Sequence, residues 1–480
     1  MDYENLTLHT DKYQINMMYA HWVHGSLNNR AVFEAYFRKL PFGNGYAVFA
    51  GLERIIHYIQ NLAFDEEDIM YLQQQEEQYQ DGFLEELRRF KFTGHIHAAA
   101  EGTLVFPNEP LIRVEARVFE AHLLETALLN FMNYQTLIAT KASRIKQVAP
   151  TETLLEFGTR RAQEADAAIW GARAAYIAGF HATSNLRAGK LFGIPTKGTH
   201  AHSWIQDHDT EEESFRKFAE AIPDQVSLLV DTYDSLKSGV PNAIKTARHL
   251  EQMGKKIQSI RIDSGDLAYI SKQSREMLDD AGLSYVKIIA SGDLDENIIL
   301  NLKAQGSKID VFGVGTQLIT AADQPSLGGV YKLVAREKNG EYEPVIKISG
   351  NPDKVSNPGV KEIYRIISRA TGKAEADYIA LRHEQDILQG QPLDLIDPVH
   401  SYRSRTVRDY ESVPLLHPIF LDGALAYPLP KLEDIRSYHE EQLQLFWPEY
   451  LRKLNPEMFR VNLSREAWEL KMELIRKHQG

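Results

Sequence analysis

The sequence predicts an α/β protein: a (βα) barrel inserted into a second, α+β domain built from both flanks of the chain, with C-terminal helices. Three observations carry this expectation. Between residues 151 and 318, short apolar runs end in Asp, Ser, Thr or Gly, and an amphipathic stretch follows each. The runs recur roughly every 30 residues, the spacing of successive βα units, and six or more such units favour a barrel over an open sheet. Strand-like sequence brackets this region on both sides, and the tail from Leu432 is charged, aromatic and helical in pattern. The boundaries read from these changes are 1–119 and 331–431 for the flank-built domain, 120–330 for the barrel and 432–480 for the helical extension.

Thr10 suits the cap of a helix running from Asp11 towards Trp22. Residues 31–38 read as a strand, and 41–45 (PFGNG) is a turn cluster. Residues 51–62 and 65–79 read as helices, with the Gln/Glu-rich piece at 73–80 exposed. Short strand-like runs in 94–118 are broken by Gly102 and Pro107, and 120–148 is helical. The barrel runs are TLLEFG, LFGIPTKGTH, VSLLVDTYDS, SIRIDSGD, YVKIIASGD and IDVFGVGT. Helices are expected at 163–177, 212–221, 240–253, 267–281 and 293–304. Thr210 with Glu213, and Asp293 with Glu296, have capping-box spacing. Beyond Tyr331, VYKLVARE, VIKISG and IYRIISR read as strands, and 351–359 as a turn-rich loop carrying Lys354.

Composition narrows the function. At 43% hydrophobic and 25% charged, the 480 residues can bury a substantial core. The net charge of −12 argues against a general nucleic-acid or anionic-membrane surface, while leaving room for a local basic pocket. There is no cysteine, so disulfides, thiolate zinc sites and cysteine nucleophiles are excluded, which fits a cytoplasmic protein. The start, MDYENLTLHT, carries no signal-peptide pattern, and no apolar run approaches the roughly 18 residues of a membrane helix.

The chain is organised around GTHAHSW, residues 198–204. His200 and His202 flank one alanine after an apolar run closed by Pro195, Lys197 and Gly198, so they sit where a strand passes into a helix. Alternate residues of an extended chain point the same way, so the two imidazoles are expected on one face. Three readings are open: polar residues hydrogen-bonded at a strand end, a metal-ligand pair, or a covalent nucleophile.

Laid side by side, the other strand ends are equally rich in chemistry. Phe157 to Arg161 offers two guanidiniums; Asp231 and Asp234 follow, then Arg261, Asp263, Ser264, Gly265 and Asp266, then Ser291, Gly292 and Asp293, and last Gly313, Gly315 and Thr316. Free backbone N–H groups at the glycine-bearing ends suit phosphate. The carboxylates of Asp231, Asp263 and Asp266 suit Mg2+, sugar hydroxyls or positive charge on a sugar ring. Each element has a plainer account: Asp293 is expected as an N-cap, and SGD or GxG alone is common in loops. Their specificity lies in appearing in one order on consecutive βα units.

That ordered set resembles the nicotinate phosphoribosyltransferases, and the resemblance covers most of the chain: TDKYQ, EFGTRR, GFHATSNLRAGKLFGIPTKGTHAHSW, LLVDTYDS, IRIDSGDL, IIASGDLDE, DVFGVGTQL and VYKLVA. It implies the type II phosphoribosyltransferase fold, an irregular α/β barrel plus a flank-built domain. It implies synthesis of nicotinate mononucleotide and pyrophosphate from nicotinate and 5-phosphoribosyl 1-pyrophosphate (PRPP), with ATP as co-substrate, Mg2+ as cofactor and a role at the start of NAD salvage. His202 maps to the family's phosphohistidine, with His200 a neighbour. Phe157 and Arg160 would hold the pyridine ring and its carboxylate, with Tyr13 stacking from a neighbouring subunit of a homodimer with shared active sites. Arg261 and Asp263 would contact ribose and phosphates, Asp263 also stabilising the sugar cation. Asp231 and Ser264 belong to the same substrate-binding set. Gly292 and Asp293 would take the ribose side, Gly313 and Gly315 the 5′-phosphate, and Lys332 a phosphate. Related nicotinamide enzymes carry an acid in the segment matching GFHATSN; here Thr183 and Ser184 offer hydroxyls, which favours nicotinate. The rival readings are a nicotinamide-preferring enzyme, a metal-dependent barrel hydrolase using His200 and His202, and a metabolite sensor that kept the pocket.

Overall fold

The computed structural model describes residues 5–351, 354–384, 390–398, 402 and 404–479. The chain divides into two compact units, 1–140 with 326–480, and 141–325. The first is thus assembled from both flanks, with the second inserted between them in sequence. No helix among the described residues is long and apolar enough to cross a membrane.

The inserted unit is a six-stranded, all-parallel sheet. Its order is Ala182–Thr183, Thr153–Glu156, Val311–Val314, Lys287–Ser291, Ser259–Ile262, Ser227–Leu229. Helices follow at Glu164–Ile177, Leu186–Phe192, Glu211–Ala221, Val240–Gln252, Leu267–Asp280 and Glu296–Ala304. The strands read as short unbroken apolar runs because a parallel sheet is covered on both faces. Leu228, Leu229, Ile260, Ile262 and Ile288 share one core with Val240, Ala243, Ala247, Leu250 and Leu278 of the helices. Among the described residues the two edge strands share no ladder. The gap is spanned by 196–200: Thr183 and Thr196 form a parallel bridge, and the Leu229 N–H donates to His200 Nε2 at 3.2 Å. The barrel is therefore irregular, closed on one side by a loop and an imidazole.

Several local expectations are corrected. LFGIPTKGTH is not a strand. Leu191 and Phe192 end the helix Leu186–Phe192, which Gly193 stops at φ 72°, and both pack against Ile169, Ala172 and Ala188. A short apolar run satisfies a buried helix as well as a strand. The strand lies earlier, at Ala182–Thr183. Asp293 is not an N-cap: it adopts φ 30°, and Asp295 caps Glu296–Ala304 through the N–H groups of Asn297 and Ile298, both at 2.8 Å. Thr210 does cap the helix Glu211–Ala221, accepting from the Glu213 N–H at 3.1 Å, while the Glu213 carboxylate pairs with Lys217.

The flank-built unit holds a seven-stranded sheet in which Arg30–Phe37 pairs antiparallel with Ile112–Arg117 on one side and Gly329–Lys338 on the other. One ladder thus unites the two flanks. A second sheet, of six strands, comes from the C-terminal flank. It includes Val461–Leu463, parallel to Ala374–Leu381, so 432–480 is not a purely helical appendage. Three residues are too few to show a period in sequence. VIKISG is not a strand either; the strand is Glu341–Pro344, just before it. The helix Glu66–Gln73 ends where the Gln/Glu-rich piece begins, and another follows at Asp81–Arg88. The first helix starts at Lys12, with Asp11 in the cap position instead of Thr10. In the loop carrying Lys354, residues 352 and 353 lie outside the described residues.

Candidate active site

The parallel register sets the strand ends of the inserted unit side by side. Ser291 pairs with Gly313, Gly313 with Leu155, and Ala290 with Ile262. At this edge the Arg261 guanidinium acts as a fork. Its Nε donates to Ser291 Oγ at 2.7 Å, Nη1 to Thr199 Oγ1 at 3.1 Å and Nη2 to Asp263 Oδ1 at 2.7 Å. Ser291 Oγ in turn donates to Asp263 Oδ1. Burial pushes the Asp263 carboxyl up, but the Ser291 hydroxyl, the Arg261 charge and His202 outweigh it and hold the group below the usual aspartate range.

Asp231, on the neighbouring strand end, accepts at Oδ2 from the Asp263 N–H (2.9 Å) and the Ser264 hydroxyl (2.7 Å). Its other oxygen, Oδ1, is buried with no hydrogen-bond partner among the described residues. Two further acids are occupied. Asp234 caps through the N–H groups of Leu236 and Lys237, and Asp266 through that of Tyr269 at 3.0 Å. Asp266, expected among the chemical carboxylates, therefore serves the start of the helix Leu267–Asp280.

The two histidines have different settings. His200 is 9% exposed and packs edge-on against Phe218. Its Nε2 accepts from the Leu229 N–H, and burial lowers its pKa to about 4, so it stays neutral. His202 opens the short helix His202–Gln206 and is half-buried, with Nδ1 3.0 Å from Thr232 Oγ1. Because His200 is committed to a backbone amide, the pair cannot act together as metal ligands in this arrangement.

Phe157 leaves its strand with its N–H on the Val314 carbonyl at 2.8 Å. Its ring lies on Gly313, where a Cβ would stand 2.6 Å from Phe157 Cδ2. Gly313 is bare because the ring occupies that space. A Cβ on Gly315 would meet the Phe157 carbonyl at 3.1 Å. Gly292, at φ 93°, backs onto the Asp263 carbonyl, where a Cβ would come to 2.4 Å. The cation beside the Phe157 ring is Arg261, at 5.7 Å from its centroid. Arg160 sits instead on the exposed turn Thr159–Arg161, lining a cavity of about 380 Å³ with Glu164, Asn185 and Arg187.

Thr183 corrects the hydroxyl expectation. Its Oγ1 donates to Glu156 at 2.6 Å and accepts from the Asn185 N–H at 3.0 Å, so its proton is already used. Ser184 is exposed. In the flank-built unit Tyr13 is 49% exposed, and burial and Glu125 raise its pKa. Lys332, half-buried there, donates to the Tyr331 carbonyl at 2.9 Å. Sequence reasoning did not single out Thr199, Thr232 or Glu156. All three stand inside motifs already recognised, but only their partners elsewhere in the chain reveal their work.

The parallel sheet with its reactive groups gathered at the C-terminal edge defines an α/β-barrel enzyme. The model of the nicotinate phosphoribosyltransferase family matches residues 153–366, and those of its N-terminal and C-terminal domains match 8–133 and 360–471. The nicotinate phosphoribosyltransferase of Bacillus subtilis is 53% identical over 98% of this chain and 96% of its own, and that of Dictyostelium discoideum 35% identical over 96% and 86%. The crystal structure of human nicotinic acid phosphoribosyltransferase superimposes with a TM-score of 0.87 at 30% identity, covering 97% of this chain and 99% of that one. The fold also matches a nicotinate-nucleotide pyrophosphorylase from Pyrococcus furiosus, at a TM-score of 0.70. The chain belongs to the nicotinate phosphoribosyltransferase family.

Proposed function

We propose that the protein joins nicotinate to PRPP, releasing nicotinate mononucleotide and pyrophosphate, and drives this with ATP through a phosphorylated His202. The reaction would open NAD salvage from nicotinate in the cytoplasm. The observation that carries the reading is the Arg261–Ser291–Asp263 network, an ionised carboxylate held by the arginine that lies beside the Phe157 ring.

Departure of pyrophosphate breaks the bond from the anomeric carbon to oxygen and leaves positive charge on the ribose. Asp263 stabilises that charge. The pyridine nitrogen adds its own lone pair, so no general base is needed. Phe157 offers the ring platform and Arg160 a charge for the carboxylate. Arg261, Ser264, Gly292 and Asp293 bind the ribose and its substituents, Gly313 and Gly315 the 5′-phosphate, and Lys332 a further phosphate. The orphaned Asp231 Oδ1 fits a hard cation, with Asp263 as second carboxylate. Mg2+ there would neutralise the leaving pyrophosphate. Ser184 and the lack of an acid in the GFHATSN segment support nicotinate over nicotinamide. His202, oriented by Thr232, takes the γ-phosphoryl of ATP as ADP leaves, and water later cleaves the P–N bond to release phosphate and restore the imidazole.

Incubation with nicotinate, PRPP and Mg2+, with and without ATP, tests the proposal. Nicotinate mononucleotide should form faster with ATP, and one ATP should be hydrolysed per product. Equal rates, or no ATP turnover, would remove the coupling.

The working unit in this proposal is a homodimer whose Tyr13 serves the partner's site. Two-fold symmetry then makes two equivalent sites, each from both chains. Tyr13→Ala and Asp263→Asn should each be nearly inactive alone. After joint refolding about half of the dimers are mixed, and in each mixed dimer one site carries neither lesion, so about a quarter of sites recover. Mixed dimers without recovered activity would rule out action across the interface.

A further inference from the structure

We propose that Glu156 is a positioning residue for the pyridine platform, its carboxylate tying the turn after Phe157 to the strand end at Thr183. The inference rests on the reading of Phe157 as that platform. Glu156 closes the strand Thr153–Glu156 and is 1% exposed. Its Oε1 accepts from the Gly158 N–H and its Oε2 from Thr183 Oγ1 at 2.6 Å, while its carbonyl accepts from the Ser184 N–H at 2.9 Å. One side chain thus joins two loops that arise from adjacent parallel strands.

The geometry leaves Phe157 little freedom. Its own N–H is held by Val314 and the next N–H by Glu156. Its ring is seated on Gly313, with Arg261 alongside. Gly158 admits no side chain, since a Cβ would stand 2.5 Å from Ile319 and 2.8 Å from Glu156 Oε1. The tie runs on through Thr183 to the Asn185 N–H, and Asn185 caps the helix Leu186–Phe192.

Two donors from two loops need two acceptor oxygens, and a buried carboxylate supplies both. Burial raises the Glu156 carboxyl, and the bonds from Thr183 and Gly158 pull it back. Glutamine has the same shape but must turn an NH2 group towards one of the donors. The expected consequence is a displaced ring, not a lost fold, and the reaction chemistry at Asp263 is left in place.

Steady-state kinetics on the full chain, varying nicotinate and PRPP separately, test this. Glu156→Gln and Thr183→Val should each raise the KM for nicotinate about tenfold and leave the KM for PRPP within about twofold. Thr183→Ser restores a hydroxyl and should bring the nicotinate KM back towards wild type. Phe157→Leu tests the platform itself. If Phe157→Leu raises the nicotinate KM but Glu156→Gln does not, or if Glu156→Gln raises both KM values equally, the positioning role is overturned while the platform stands. If Phe157→Leu leaves the nicotinate KM unchanged, the platform reading fails and takes this inference with it. Should Glu156→Gln not fold, the Thr183 pair decides: equal KM values for the valine and serine variants overturn the tie.

Discussion

Asp263→Asn should lower kcat/KM for mononucleotide synthesis by about three orders of magnitude. The substitution is close to isosteric. An asparagine carbonyl oxygen can still accept from Arg261 Nη2 and Ser291 Oγ, the two donors that converge on Oδ1. What disappears is the negative charge facing the ribose as pyrophosphate departs. Charge held in place in a water-poor site gains far more than the same charge in water, because nothing need reorganise during the reaction. Arg261 becomes an uncompensated cation, which opposes the developing oxocarbenium further. The fall should sit in kcat, with the nicotinate KM and the melting temperature little changed. Because its neighbours hold Asp263 below the ordinary aspartate range, the acid limb of the wild-type kcat/KM profile should not be set by this group. A loss smaller than about tenfold would show that the sugar cation is stabilised elsewhere.

The second large effect is expected at His202. His202→Ala should abolish both acid-labile labelling by γ-phosphate-labelled ATP and ATP hydrolysis, while slow ATP-independent synthesis persists. The imidazole is half-buried, held through Nδ1 by Thr232 and set near Asp263. Removing it takes away the acceptor of the phosphoryl group, while Arg261, Ser291 and Asp263 keep their mutual bonds. His200 cannot stand in, since it is buried, neutral and bonded to the Leu229 N–H. Full labelling of His202→Ala would sink the assignment.

Much of the site was legible in the chain because each strand end carries its chemistry within a few residues. RIDSGD names the arginine, the acid and the hydroxyl of the site directly, and the acid's ionised state follows once Ser291 is known to lie on the next strand. GTHAHSW marked the loop, but not the different partners of its two histidines. His200 is buried on the Leu229 N–H, while His202 opens a helix and reaches Thr232. LFGIPTKGTH misled: apolar residues followed by glycine and proline describe a helix end as well as a strand end.

The chain alone carried most of the βα order, the two-flank plan and the family. Parallel strands covered on both faces leave unbroken apolar runs, and the turns after them leave acids, hydroxyls and glycines at regular spacing. Which of those groups are free of structural duties depends on the folded arrangement. Asp234, Asp266 and Asp295 look like Asp231 and Asp263 in sequence, yet the first three cap helices. Thr183 looks like a substrate donor, yet it serves Glu156. The deciding partners lie far along the chain: His202 meets Thr232, and Arg261 meets Ser291 on the adjacent strand, each thirty residues away. A local pattern of residues carries no record of such a distance; the register of the sheet sets it.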